Sequence, residues 1–185
     1  MLDLDIILKL KVGDIILVHG VSTIADIIED FQKIKDRLKG KWTHSMTVCE
    51  INGVKVLVSE ADKLGICKTD FQKYLDADRE LVLLKYKRAD TSMYAGQYKD
   101  LADYYAGRTR YNFAGLIQQA WRFAKLLFNK KAKIHPCNTD KRFMCGSWSI
   151  FNMFCIFKQD KFKNYTAMAP IDIICDEDFE VEILK

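Results

Sequence analysis

The chain has 185 residues, of which 49% are hydrophobic and 29% are charged, and its formal net charge is +4. This composition excludes a disordered protein, and the length predicts that residues 1–185 form a single domain. The lysines are scattered among acidic residues, apart from a basic run around Lys130 at a predicted helix end, where cations are favoured. We therefore expect no nucleic acid partner.

The N-terminus and the cysteines give expectations about compartment. The first seven residues carry two acids and lack the basic start of a secretory signal, and no apolar stretch reaches the length of a membrane span. Six cysteines are spread through the chain without CxxC pairs, which favours reduced thiols. We predict a cytoplasmic protein without a transmembrane segment. Phage origin or release by lysis is the alternative that would give access to an external target.

The first predicted elements are a strand and a helix. Asp14–Val18 follows a turn signal and is rich in β-branched residues, which predicts a strand. Apolar residues then recur at three- and four-residue steps from Ile24 to Leu38, which predicts a helix. Thr23 and Asp26 fit a capping box at its start, and Gly40 is placed to end it.

A β-hairpin is predicted around Asn52-Gly53, which separates two strand-like runs, Thr43–Glu50 and Val54–Glu60. Two registers are open. A two-residue turn at Asn52-Gly53 places His44 and Glu60 on opposite faces, whereas a three-residue loop places them directly opposite each other on one face. Only the second register, or a bulge with the same effect, lets the carboxylate reach the imidazole.

The next segments predict further strands and helices. Residues Ala61–Thr69 are predicted to form a loop. The other predicted elements are a helical turn at Asp70–Leu75, strands at Glu80–Tyr86 and Phe179–Leu184, helices from Thr91 to about Tyr105 and from Phe113 to about Asn129, and a turn at Met168–Asp172.

Cys145 is the candidate nucleophile. It precedes a mostly apolar run through Phe157, which predicts a buried helix that begins near the cysteine. The free N–H groups and partial positive charge of a helix start stabilise a thiolate. A cysteine beside Phe143, Met144 and Trp148 is, however, usually small apolar filling of the core. The catalytic hypothesis therefore depends on a base and an orienting group from other segments.

His44 and Glu60 are the candidates for those two roles. An imidazole can take the thiol proton and later protonate the leaving group, while a carboxylate fixes the imidazole tautomer. The alternative is that His44 is structural and that Glu60 is a solvated strand end. His135, Cys137 and Cys145 are a further candidate set, for a metal site, but their spacing matches no zinc pattern, so we expect no metal or other cofactor.

The order of these segments resembles the circularly permuted branch of the NlpC-type papain-fold amidases, the YiiX/YaeF-like group, in which the nucleophile's helix follows the strands that carry the base. The resemblance covers nearly the whole chain and rests on short motifs in a shared order. These are Gly13-Asp14-Ile15-Ile16, Trp42-Thr43-His44-Ser45-Met46, Ser59-Glu60-Ala61 with Gly65-Ile66, Tyr111-Asn112-Phe113, Cys145-Gly146-Ser147 and Ala169-Pro170-Ile171-Asp172.

The resemblance implies an α+β, papain-like fold with a small antiparallel sheet or barrel packed against helices and the nucleophile at a helix N-terminus. It implies a cysteine amidase or peptidase in which Cys145 is the nucleophile, His44 the general base and acid, and Glu60 the orienting group. The residues implied to contact the substrate are Tyr111, Gly146 and Ser45, although packing is the alternative role for Tyr111.

The substrate class stays open at this point. The resemblance is compatible with a small peptide, a peptidoglycan-like peptide or an acyl lipid. The alternatives to amide cleavage are a lipid acyl thioesterase or acyltransferase and a catalytically inactive binding or structural protein. The sequence gives no oligomeric state.

Three positions depart from the family pattern. Met46 stands where members often have Gly, Gly146 where they often have Ser, and Asn112 where they usually have Asp. We expect these changes to alter the shape of the pocket more than the triad. They therefore bear on which substrate is bound more than on which reaction is catalysed.

Overall fold

A six-stranded antiparallel sheet with helices on both faces organises the fold. The structure is a computed structural model that describes residues 3–20, 23–33, 36, 39–77, 79–115, 117, 118, 121, 125, 142–162 and 165–185. The architecture is mixed α+β with an antiparallel sheet, as expected. In the described part of the chain no pairing joins the two edge strands, so the sheet is open and not a closed barrel.

The strand order is β4-β3-β2-β1-β5-β8, and a two-stranded parallel ribbon, β6–β7, lies apart from this sheet. The strands are β1 (Ile15–Val18), β2 (His44–Asn52), β3 (Lys55–Asp62), β4 (Gly65–Asp70), β5 (Leu81–Tyr86), β6 (Arg110–Tyr111), β7 (Arg142–Phe143) and β8 (Phe179–Ile183). β1, β5 and β8 lie where the sequence predicts strands.

The described helices precede or connect the strands of the chain. They are α1 (Asp3–Ile7), α2 (Thr23–Lys33), α3 (Gln72–Asp76), α4 (Ala95–Tyr105), α5 (Cys145–Phe157) and α6 (Pro170–Ile174). Residues 113–115, 117, 118, 121 and 125 are also helical. The rest of the predicted Phe113–Asn129 helix, and four of the last five residues of the predicted Ile24–Leu38 helix, lie outside the described residues.

The core has two layers because successive strand residues point to opposite faces. Ile16, Met46, Val58 and Leu83 face α1 and α3. Residues of the other face, including Leu17 and Val82, pack against helices α4, α5 and α6. The sheet is thus buried on both sides, which explains why its central strand β1 is apolar at every position.

The β2–β3 hairpin adopts neither of the two registers considered from the sequence. Asn52 pairs with Lys55, so Gly53 and Val54 form the turn, and Gly53 has a left-handed φ of 61°. A positive φ at the first central residue alone is typical of a type II′ turn. The pairing then shifts by one residue at a bulge between Val48 and Glu50. This bulge restores a common face for His44 and Glu60.

The segment predicted as a loop at Ala61–Thr69 is largely a strand. β4 pairs with β3 along its whole length, from Gly65 opposite Asp62 to Asp70 opposite Leu57. Only Ile66 in this strand is a large apolar residue, and Lys68 is held by ion pairs to Glu50 and Asp103. Because β4 is an edge strand with a partly exposed face, it lacks the apolar pattern on which the sequence prediction depends.

None of the described helices is long and apolar enough to cross a membrane.

Candidate active site

His44 and Glu60 form a hydrogen-bonded pair at one end of the sheet. His44 begins β2, and Glu60 lies on β3 opposite Met46, two residues further along β2. Residues two apart on a strand share a face, so the two side chains are diagonal neighbours. The distance between His44 Nε2 and Glu60 Oε2 is 2.6 Å, and the Glu60 side chain is only 2% exposed.

Glu60 is held by further donors. The hydroxyl of Tyr74, from α3, donates to Glu60 Oε2 at 2.5 Å, and Thr69 of β4 also hydrogen-bonds the carboxylate. The Tyr74 ring stacks near the His44 imidazole, with ring centroids 6.4 Å apart and planes 20° apart. Tyr74 therefore fixes both partners of the pair.

Cys145 is the first residue of α5. The preceding residue, Met144, has extended backbone, and the helix then runs through Phe157. The helix is fixed to the sheet face opposite His44, where the Trp148 indole N–H donates to Ser59 Oγ at 2.9 Å. Its first turn lies beside the start of β2, so that Cys145 Sγ is 3.9 Å from the Thr43 carbonyl oxygen.

The thiol and the imidazole meet at this strand end. Glu60 occupies Nε2 of His44, and the imidazole also hydrogen-bonds the Cys145 side chain. Burial alone raises the pKa of the Cys145 thiol. The hydrogen bond and charge of His44, with the backbone N–H groups of Ser45 and Gly146, outweigh burial and hold this pKa below its ordinary value.

The pKa values of His44 and Glu60 are also shifted in the direction that favours the charged form of each side chain. Burial alone lowers the pKa of His44, but its hydrogen bonds to Cys145 and Glu60 raise this pKa to about 10. Burial alone raises the pKa of Glu60, but His44, Thr69 and Tyr74 together lower it to about 2. At neutral pH the arrangement favours a thiolate, an imidazolium and a carboxylate in a row.

Tyr111 lies beside Cys145 because of the β6–β7 ribbon. Tyr111 pairs with Phe143, two residues before Cys145. The ribbon is in turn placed by β4, since Thr109 Oγ1 accepts from the Ile66 N–H at 3.2 Å. Burial, and to a smaller extent the charge of Cys145, raises the pKa of Tyr111, so its hydroxyl keeps its proton.

These groups line a cleft of ≈ 290 Å³. Its wall includes His44, Glu60 and Cys145. One part is apolar and contains Ala25 and Ile28 of α2 with Tyr111 and Phe113, and another is charged and contains Asp62, Lys63 and Lys73. Candidate chemical groups and a space for a substrate therefore coincide.

Two of the predicted substrate contacts have other surroundings. The Ser45 hydroxyl is fully buried and lies 3.2 Å from Ser149 Oγ, between sheet and helix. Gly146 packs against backbone, since a Cβ at this position would lie 2.6 Å from the Met168 carbonyl oxygen. Neither is among the described residues that line the cleft. Both face the thiol through backbone N–H groups.

The other departures from the family pattern also lie away from the cleft wall. Met46 is fully buried in the core layer that faces α1 and α3. The Asn112 side chain accepts from the Gly115 N–H at 2.9 Å, which caps the helical segment that follows. Asn performs this cap as well as Asp does. We expected these positions to reshape the pocket, but none of the three is among the described residues that line the cleft.

Tyr74 was not among the residues selected from the sequence. A tyrosine in a short helical turn carries no pattern that distinguishes it from a packing residue, and it lies 14 positions from Glu60. Lys63 and Lys73 were missed for a similar reason, because surface lysines occur throughout the chain. Only the fold brings them to the cleft.

Of the candidate metal set, Cys145 lies among the described residues. His135 and Cys137 lie outside the described residues. Among the residues that the structure describes, no group of three or more His, Cys, Asp or Glu side chains is arranged to hold a metal ion.

The chain has the fold of a solved structure, the metalloprotein YiiX from Escherichia coli O157:H7. The TM-score is 0.65, and the match covers 95% of this chain and 97% of that chain at 12% sequence identity. No protein-family model and no curated protein matches the sequence. The YiiX-like fold agrees with the resemblance read from the motifs, and at this identity the likeness concerns the fold alone.

Proposed function

We propose that the protein is a cysteine hydrolase that cleaves an amide bond, in a peptide or a cell-wall-like peptide, through Cys145, His44 and Glu60. The observation that carries the proposal is that the His44 imidazole hydrogen-bonds both the Cys145 thiol and the Glu60 carboxylate beside a cleft. A nucleophile, a base and an orienting acceptor in this order are what thiol acyl transfer requires.

The proposed reaction has two steps. In the resting state His44 already holds the thiol proton, and the Cys145 thiolate attacks the amide carbonyl carbon to form a tetrahedral intermediate. His44 then protonates the leaving amine, so that the C–N bond breaks and a thioester to Cys145 remains. A water molecule, deprotonated by His44, attacks this thioester, which releases the carboxylic acid and restores the Cys145 thiolate and the His44 imidazolium.

The negative charge on the carbonyl oxygen needs donors in both steps. The Cys145 backbone N–H is free of an intrahelical partner because it lies in the first turn of α5. The Tyr111 hydroxyl is the second donor that we propose, since it lines the cleft and burial keeps it protonated. Two donors at the developing oxyanion are typical of acyl-transfer enzymes.

A metal has no step in this proposal. The YiiX protein of similar fold is called a metalloprotein. In the described part of this chain, the cleft atoms that could bind a metal already have hydrogen-bond partners. His44 Nε2 bonds Glu60 Oε2, and Glu60 Oε2 also accepts from the Tyr74 hydroxyl. The described side chains thus do not fit a metal ion. Elemental analysis of the purified protein is the direct check.

A lipid acyl ester or thioester is the second candidate substrate. It is favoured by the apolar part of the cleft wall, which contains Ala25, Ile28 and Phe113. The same two steps apply, with an alcohol or thiol as the leaving group. Turnover of a fatty-acyl ester set against turnover of a dipeptide amide separates the two. A binding protein without activity is the remaining alternative.

The first test is the pH dependence of iodoacetamide alkylation, followed for each cysteine by peptide mass spectrometry. We expect Cys145 to react well below the free-thiol pKa of about 8.5, and His44→Ala to remove this reactivity. Cys49 and Cys67 are internal controls, because burial raises their pKa values to about 12 and about 11. Exposed Cys175 controls for reagent access.

Turnover is the second test. Cys145→Ala should abolish hydrolysis while the circular dichroism spectrum stays unchanged. An active Cys145→Ala variant, or a Cys145 thiol that alkylates with the same pH dependence in wild type and His44→Ala, would overturn the catalytic proposal and favour the binding protein.

A further inference from the structure

An exposed apolar stripe runs along the helical segment that begins beside the cleft. Phe113, Ile117 and Trp121 are 50%, 72% and 65% exposed. Four-residue steps advance by only about 40° around an α-helix, so the three side chains lie along one face. Lys125 continues the interval, with its Nζ 5.8 Å from the centroid of the Trp121 ring.

Further apolar and basic groups connect this stripe to the cleft mouth. Phe113 and Lys63 both line the cleft, and Leu64, the neighbour of Lys63 in the β3–β4 turn, is 79% exposed. Lys73 lines the same cleft from α3. Among the described residues neither Lys63 nor Lys73 has an acidic side chain in salt-bridge contact. We call this surface the docking face; it consists of Leu64, Phe113, Ile117, Trp121, Lys63, Lys73 and Lys125.

We propose that the docking face binds the surface of an anionic membrane. Aromatic and aliphatic side chains on one helix face, with lysines beside them, are the composition of helices that lie in the membrane interface. Exposed Trp and Phe also occur at protein–protein interfaces, but lysine is depleted there, so the three lysines favour the membrane over a protein partner. Lipid phosphates and serine headgroups supply the negative charge that Lys63, Lys73 and Lys125 lack within the described structure.

The geometry fixes how the protein would lie. A single narrow stripe inserts shallowly, with the helix axis in the plane of the membrane. Phe113 belongs both to the stripe and to the cleft wall, so membrane binding through the stripe would bring the cleft close to the lipid surface. This inference concerns binding and does not depend on the chemistry of Cys145.

Vesicle flotation with the full chain tests the proposal. We expect the protein to float with vesicles of phosphatidylcholine and phosphatidylserine and to bind much less to phosphatidylcholine alone. Trp fluorescence gives a second readout, because Trp42 and Trp148 are 6% and 0% exposed while Trp121 is 65% exposed. A blue shift of the emission on adding anionic vesicles therefore reports Trp121.

Matched variants separate the docking face from general stickiness. Ile117→Ser with Trp121→Ser should weaken binding at least about tenfold, since both side chains lose their insertion into the interface. Met93→Ser with Val54→Ser is the control, because these side chains are 80% and 68% exposed elsewhere. Lys125→Glu should weaken binding roughly fivefold or more, whereas Lys55→Glu should change it little.

Three outcomes would overturn the proposal. The first is absence of flotation with anionic vesicles, and the second is equal flotation of the wild type and the Ile117→Ser/Trp121→Ser variant. The third is a wild-type dimer in light scattering that becomes a monomer in this variant, which would make the face a contact between two copies. Cys145→Ala should bind vesicles as the wild type does. Failure here therefore leaves the alkylation and turnover tests of the catalytic proposal untouched.

Discussion

The hydroxyl of Tyr74 completes a row of polar groups that leads from Cys145 through His44 to Glu60. The Glu60 side chain at the end of this row is 2% exposed, so water hardly solvates its carboxylate. Its ionisation depends on the donors around it, of which Tyr74 is one. Tyr74 is thus a positioning residue in the proposed mechanism, since it acts through Glu60.

Replacement of Tyr74 tests this role. Tyr74→Phe removes one donor from a buried carboxylate, which should raise the pKa of Glu60 and weaken its hold on the His44 imidazolium. We expect kcat to fall about tenfold with little change in KM, and the free energy of unfolding to fall by about 1–2 kcal/mol. Steady-state kinetics and urea denaturation measure the two effects.

Tyr104→Phe is the matched control, because the Tyr104 side chain is 60% exposed. It should leave both quantities unchanged. If Tyr74→Phe loses stability but keeps kcat and the pH dependence of Cys145 alkylation, Tyr74 has only a structural role.

Residue chemistry was the part of the site that the sequence could predict. Cysteine, histidine and glutamate can be selected because few side chains perform acid, base or nucleophilic chemistry, and the structure brings the three selected residues together. The predicted substrate contacts of Ser45 and Gly146 required both residues to face the cleft. Which way a residue faces follows from strand register and helix packing, and the sequence did not determine either.

At the scale of elements, the bulge in β2 decides whether Glu60 can reach His44. Without the shift between Val48 and Glu50, the ladder that starts at Asn52 and Lys55 would place His44 and Glu60 on opposite faces. The sequence could show that the face of His44 was the critical question. It could not answer it, because turn type and bulge depend on the packing of the whole sheet.

The start of α5 is held by close backbone contact at Gly146. A Cβ here would meet the Met168 carbonyl oxygen at 2.6 Å and the Ala169 carbonyl carbon at 2.9 Å, and backbone cannot rotate away as a side chain can. We expect Gly146→Ala to displace the first turn of the helix, to lower the free energy of unfolding by about 1–3 kcal/mol and to reduce the alkylation rate of Cys145.

Gly96→Ala is the comparison for this change. Gly96 lies in α4, and a Cβ there would have no atom within 4 Å. It should be neutral or stabilise the protein by about 0.5–1 kcal/mol, because alanine favours helix. Equal urea midpoints for Gly146→Ala and Gly96→Ala would contradict the predicted crowding.

At the scale of the whole molecule, the buried charges make stability depend on pH. The pKa of Glu60 is about 2 in the folded protein, below the value of about 4.3 for a free glutamate. A depressed carboxyl pKa adds stability that is fully present above the unfolded pKa and is lost as pH falls through the folded pKa. The contribution of Glu60 should therefore disappear between about pH 4 and pH 2.

Comparison with Glu60→Gln isolates this contribution. The wild type should exceed the variant in unfolding free energy by an amount on the order of 2 kcal/mol above about pH 5, and the two should converge near pH 2. Denaturant titrations at each pH measure the difference. Glu182→Gln, at a side chain that is 30% exposed, should show a much smaller change. A difference that stays constant with pH would contradict the assignment of the shift to Glu60.

The contact between the Cys145 thiol and the Thr43 carbonyl joins positions 102 residues apart. Such a contact closes only after the sheet has formed and α5 has docked on it, because distant segments pay a large loop-closure entropy before they gain contacts. During synthesis β1 through β5 leave the ribosome before Cys145 does. A partly folded or nascent chain therefore carries an ordinary thiol, and a reactive thiolate reports that α5 has docked on the sheet.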